Sequence, residues 1–132
     1  MQTRQIVTVE SIDPDIDEEI TLRAGDVRLV CFHFGGGLDV GRSYLVELTL
    51  LDWHRMRPAH GLALPSLTRR DDGFGYDVVG RLSGSVVDAG MPLVDEAFAT
   101  ECAWLDGKMV HFEVDRIDVE VIGAAPASPI AS

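Results

Sequence analysis

The chain has few of the features that announce a chemistry. Its 132 residues include only two cysteines, Cys31 and Cys102, and neither belongs to a Cys-x-x-Cys pair; no His-x-x-x-His spacing accompanies them. A structural zinc site needs such pairs, because four ligands must converge on one tetrahedral ion. No metal or other cofactor is therefore expected. The two thiols read as reduced core residues rather than as a disulfide. Long hydrophobic runs are also missing: Val27 to Phe34 and Tyr44 to Leu51 are interrupted by charge and far too short to cross a bilayer. Residues Met1 to Gln5 are not followed by an apolar segment like that of a secretory signal, so the expected location is cytoplasmic. Basic residues are scarce, 11 against 22 acidic ones, for a formal charge of −11 and an isoelectric point near 4.5. Such a field repels phosphate backbones and argues against nucleic acid as the main partner. It favours a basic protein partner, since complementary potentials speed encounter and exclude like-charged competitors.

What the chain does have is β patterning. With 46% hydrophobic residues it is expected to fold as a single β domain over residues 1–122, followed by a flexible end, 123–132, that loses both charge and periodicity. β-Branched Ile6 to Val9 mark a first strand over Gln5 to Ile12. Glu19 to Arg23 and Val27 to Phe34 read as a hairpin about Ala24-Gly25-Asp26. Tyr44, Val46, Leu48 and Leu50 share one face of a strand over Ser43 to Trp53, with Glu47 and Thr49 on the other. Phe74, Tyr76, Val78, Leu82 and Val86 share a parity with Gly80 and Gly84 interposed, which predicts one long strand bent at glycines. Pro92 to Glu96 fits either a helical turn or an extended crossover.

Asp106-Gly107 is the strongest local signal, because Asp-Gly between alternating segments marks a hairpin. It predicts a strand over Ala97 to Leu105, with Phe98, Cys102 and Trp104 on one face, returning through Val110, Phe112 and Val114. The pattern then changes parity to Ile117, Val119 and Val121, as one extra residue near Asp115 and Arg116 would produce in a β-bulge. Some seven strands, little helix and these signs of curvature predict an all-β fold, a small curled antiparallel sheet or barrel. Its architecture is similar to the OB-fold and related small barrels, with a β-sandwich as the alternative. The likeness covers no diagnostic motif, so no activity follows from it.

Candidate functional residues fall in two places. Residues 54–73 break the alternation for about twenty positions, long for a structureless connection, and could hold a short helical turn or irregular strand around Leu62 to Leu67. They carry His54, Arg55, Arg57, His60, Arg69 and Arg70, with Trp53 at the border. Guanidinium groups recognise carboxylate or phosphate through two parallel bonds, and loops on rigid scaffolds often carry binding residues. The bland alternative is that these arginines neutralise acids of the same chain. The second place is the acidic run Asp13, Asp15, Asp17, Glu18 and Glu19, an interaction surface for a basic partner. Its spacing fails as a calcium loop, where Glu18 would occupy the glycine position and Ala24 the bidentate glutamate position.

Gly35-Gly36-Gly37 lacks the lysine and helix of a phosphate loop and reads as a turn. The expected function is thus a non-catalytic protein-binding module, an inhibitor or immunity-type or self-associating protein, acting through its acidic face, the 54–73 loop or a sheet edge. One alternative is single-stranded nucleic-acid binding, with Phe74 or Tyr76 as a stacking surface beside the arginines. Another is a small-ligand pocket or enzyme site built from Cys31, His33, His54 and His60.

Overall fold

Burial alternates along most of the chain, and this alternation is what makes the segments strands: one face of each is apolar and closes a core, and the other is wet. The computed structural model describes residues 4–16, 18–60, 62–71 and 73–125. In chain order its elements are β1 (Arg4–Ile12), β2 (Glu19–Ala24), β3 (Val27–Phe32), β4 (Ser43–Leu51), β5 (His54–Pro58), β6 (Ser66–Arg69), β7 (Tyr76–Ser83), β8 (Val86–Asp88), β9 (Pro92–Val94), helix α1 (Glu96–Glu101), β10 (Met109–Val114) and β11 (Arg116–Ala124). Asp17 of the acidic run and residues 126–132 of the expected tail lie outside the described residues.

Five strands close into a barrel in the order β1-β2-β3-β11-β4, and the segment between β4 and β11 builds a second sheet, β5-β10-β7-β8-β9, with β6 paired to β7. The molecule is therefore an all-β small barrel rather than a sandwich. Barrel pairings are antiparallel except where β3 meets β11, and there a single parallel pair, Phe32 with Asp118, makes the closure. One buried cluster runs through both parts, from Leu22, Leu29, Val46 and Ile117 to Val78, Phe98 and Phe112.

Four local expectations are corrected. Ala97 to Leu105 is not a strand: α1 and a 3-10 turn (Ala103–Leu105) occupy it. Asp95 caps the helix, its carboxylate accepting the Ala97 N–H at 2.9 Å, and the buried residues Phe98, Cys102 and Leu105 recur at helical spacing. Trp104 is left 64% exposed. The parity change at Asp115 is not a bulge within one strand but the point where the chain leaves the second sheet as β10 and enters the barrel as β11.

Residues 74–86 are likewise not one strand, because Gly84, at φ +60°, turns β7 back into β8. Gly80 has a different role. It sits where the neighbour of β7 changes from β6 to β8, and a Cβ there would lie 2.4 Å from the Asp88 carbonyl oxygen. Finally, residues 54–73, expected to break the strand pattern apart from a short turn or irregular strand around Leu62 to Leu67, contain two strands, β5 and β6.

Candidate functional site

The outer face of the second sheet gathers most of the unusual chemistry. Val110, Phe112 and Val114 of β10 point into the core, so Met109, His111 and Glu113 point away from it. The outward residues of β7 beside them are Arg81, Val79 and Asp77. On the other flank, β5 pairs Arg57 with His111 and His54 with Glu113, leaving two residues, Arg55 and Met56, opposite Phe112. Arg55 takes φ +61° there. The extra residue turns Arg55 and Arg57 towards one carboxylate, and the left-handed backbone of a non-glycine costs about 1–2 kcal/mol to hold.

That carboxylate is Glu113. Although it faces outward its side chain is only 6% exposed, because the arginines cover it: Arg57 Nη1 lies 2.6 Å from Oε2 and Arg55 Nη1 3.2 Å from Oε1. The Arg57 hydrogen bond, with the charges of Arg55 and Arg70, holds Glu113 below the ordinary carboxylate range despite its burial. Arg57 also reaches His111, whose other neighbour is Asp77, at 3.7 Å. His54 lies 4.0 Å from Asp115.

At the other end of the same face a groove of about 590 Å³ opens between the strands and the β5–β6 connection. Met109, Arg81, Ser83 and Asp88 form one side, and Leu62, Ala63, Leu64 and Pro65 form the other. Leu62 and Leu64 are 88% and 80% exposed. Among the exposed large apolar side chains of the described residues, only Phe34 stands as far into water, and these two leucines lie together beside one groove.

The structure divides the sequence-derived candidates. Arg55, Arg57 and, through its charge, Arg70 converge on Glu113, while Arg69 turns to the barrel, bonding the Gly73 carbonyl at 2.7 Å and Glu19 at 3.2 Å. His60 is exposed in the connection that carries the leucines. Trp53 packs edge-on against Phe98, with ring centroids 4.9 Å apart, and its indole N–H donates to Asp95 at 2.9 Å. Of the acidic run, Asp13 accepts the N–H groups of Asp15 and Ile16, which lowers its pKa, and Glu19 is taken by Arg69. Asp15 is exposed and Glu18 half-buried.

Cys31 lies in the barrel core, where burial raises its thiol pKa far above the ordinary value. His33 lines a groove with Phe34 and Gly35, and His54 lines a different one with Trp53 and Asp95. Tyr76 is buried, its hydroxyl oxygen accepting the Val30 N–H at 2.7 Å, and Phe74 packs against Phe32. Among the described residues, no three His, Cys, Asp or Glu side chains gather as a metal site would require.

Leu62, Leu64, Met109, Glu113, His111 and Asp77 did not stand out in the sequence. Glu113 was the most nearly visible, as an outward position between two buried ones, but alternation alone assigns such a residue to solvent. Among the described residues, no helix is long and apolar enough to cross a membrane.

Fold and site together define a small β-barrel protein with an inserted sheet whose outer face pairs a covered ion cluster with an apolar groove. Over residues 3–122 the chain matches the model of the family described as "Uncharacterised conserved protein UCP019853", and it belongs to that family. No curated protein and no solved structure matches it.

Proposed function

We propose that the chain is a non-catalytic protein-binding module whose contact surface is the β5–β6 connection and the groove beside it, and whose partner is a basic protein. The observation that carries this reading is the exposure of Leu62 and Leu64 on the rim of a groove floored by paired strands. Apolar anchors seated against a rigid floor are where interface energy concentrates.

Charge supplies the sign of the partner. Arg4, Arg23, Arg28, Arg42, Arg55, Arg57, Arg69 and Arg116 are all in ion pairs with acids of the same chain. The positive charge is thus largely neutralised internally, and the surplus presented outward is negative. The same pairing weighs against the nucleic-acid reading, since Arg55, Arg57 and Arg69 already hold carboxylates and Tyr76 has no free face. An inhibitor or immunity-type role fits within this class.

The test is reconstitution. A protein captured by the chain from its native source is identified, purified and titrated against the wild type and against the Leu62→Asp/Leu64→Asp variant. The expected result is a basic partner whose affinity falls about a hundredfold, the loss of roughly one interface anchor. Equal affinity for the variant, or a partner of acidic charge, overturns the proposal.

A further inference from the structure

We propose that the free edge of β11, from Val119 to Gly123, is a strand-addition site for an extended, basic segment of another protein. The barrel's closure is asymmetric. β11 is paired with β4 from Arg116 to Ala124, but on its other edge, among the described residues, only Asp118 has a strand partner, Phe32 of β3. On the Val30 side of that pair the gap is filled from the second sheet, by the Tyr76 hydroxyl on the Val30 N–H and by Phe74 against Phe32. On the other side β3 ends and turns away through Gly35, Gly36 and Gly37, all at positive φ. A groove of about 330 Å³ remains along the β11 edge, walled by Phe32, His33 and Phe34.

An unpaired strand edge offers a row of N–H and C=O groups that an extended peptide can satisfy, with side-chain pockets supplying selectivity. Here selectivity points to cations. Glu120 faces the groove and, among the described residues, is in no ion pair, and the adjoining groove of about 210 Å³ adds Glu18 beside His33 and Phe34. Of the neighbouring guanidinium groups, Arg116 is held by Asp118 and stacked 4.2 Å above the Phe32 ring, and Arg4 is held by Glu47. Phe34, 82% exposed, offers an apolar platform for an aliphatic side chain of the incoming strand. A second copy of this chain would place Glu120 against a surface as acidic as its own. A segment alternating basic and aliphatic residues meets both features.

The probe is a short synthetic peptide alternating lysine and valine, with its glutamate–valine counterpart as control. The lysine peptide is expected to shift the amide resonances of Val119 to Gly123 and to slow their hydrogen exchange about tenfold, with no such effect from the control. Glu120→Lys and Phe34→Ser are each expected to weaken binding about tenfold. Both are safe for folding: Glu120 stands opposite Glu47 across the β11–β4 pair, so its replacement removes a like-charge neighbour, and Phe34 is in water.

The Leu62→Asp/Leu64→Asp variant is expected to bind the lysine peptide as the wild type does, which separates this site from the groove on the second sheet. Perturbation elsewhere, undiminished binding to Glu120→Lys, or concentration-dependent dimerisation that protects the same amides without peptide would each overturn the proposal.

Discussion

The barrel keeps its charges in exposed pairs, such as Arg4 with Glu47 and Arg28 with Glu10, whereas the inserted sheet covers one carboxylate, Glu113, beneath two arginines. Exposed pairs contribute at most about 1 kcal/mol and tolerate loss. A covered carboxylate deprived of its partners is much harder to accommodate. The barrel's surface is therefore free to vary in charge while the outer face of the insert is fixed in geometry. The same contrast holds at the seam. The barrel closes through one backbone pair, and the insert completes it with Tyr76, Phe74 and Arg69. The insert carries the exposed leucines and the barrel carries the open edge, so the two proposed contacts lie one on each region.

The largest effects test whether the two regions are one cooperative unit. Phe112→Ala in the insert is expected to cost about 4 kcal/mol and Leu29→Ala in the barrel about 3 kcal/mol, because both side chains are fully buried. Trp53 and Trp104 both belong to the insert, so tryptophan fluorescence reports on it while circular dichroism reports on both regions. With one shared core, the two signals are expected to give coincident urea transitions in each variant, displaced to lower midpoints. Fluorescence that holds in Leu29→Ala while the dichroism collapses would break the comparison into two independent units.

A smaller effect probes the seam. In Tyr76→Phe the ring stays and the hydroxyl goes, leaving the part-buried Val30 N–H without its acceptor. The expected loss is about 1–2 kcal/mol, with exchange of the Val30 amide accelerated more than that of Val78 inside the insert. Equal acceleration at both amides would mean that the hydroxyl supports the whole core rather than the barrel's closure.

These comparisons also show what the sequence made legible. Val110, Phe112 and Val114, and then Ile117, Val119 and Val121, were readable as inward faces because period-two alternation survives in each strand. The reason for their change of parity was not readable, since an extra residue looks the same whether it bulges one strand or carries the chain between two sheets. Asp106-Gly107 misled because its turn follows a helix, and Phe98, Cys102 and Leu105 fit a helical stripe that the alternation of Phe98, Cys102 and Trp104 concealed. For the site, the gathering of Arg55 and Arg57 was visible as composition, but their target was not. Glu113 becomes a covered carboxylate only through pairing with β5, which lies about fifty-five residues away in the chain. The exposure of Leu62 and Leu64 is equally a property of the fold, because two leucines between prolines look no different when buried.

The smallest effect expected is one of pH, and it differs between the regions. His33 of the barrel has its pKa lowered from 6.5 by burial, so the unfolded chain binds the proton first as pH falls. Its contribution to stability is complete above 6.5 and is lost as pH drops from there through the folded value. Glu113 of the insert has its pKa lowered from 4.5, chiefly by the Arg57 hydrogen bond, so its contribution is complete above 4.5 and is lost only below that. Stability measured by urea titration is therefore expected to decline in two stages on acidification, the first removed by His33→Gln and the second by Glu113→Gln. The Glu113 variant also starts from a lower plateau at neutral pH, since its arginines then face a neutral amide. If Glu113→Gln instead flattened the limb that begins at 6.5, the acid sensitivity would belong to the insert, and the contrast between a pH-sensitive barrel and a charge-clamped insert would be reversed.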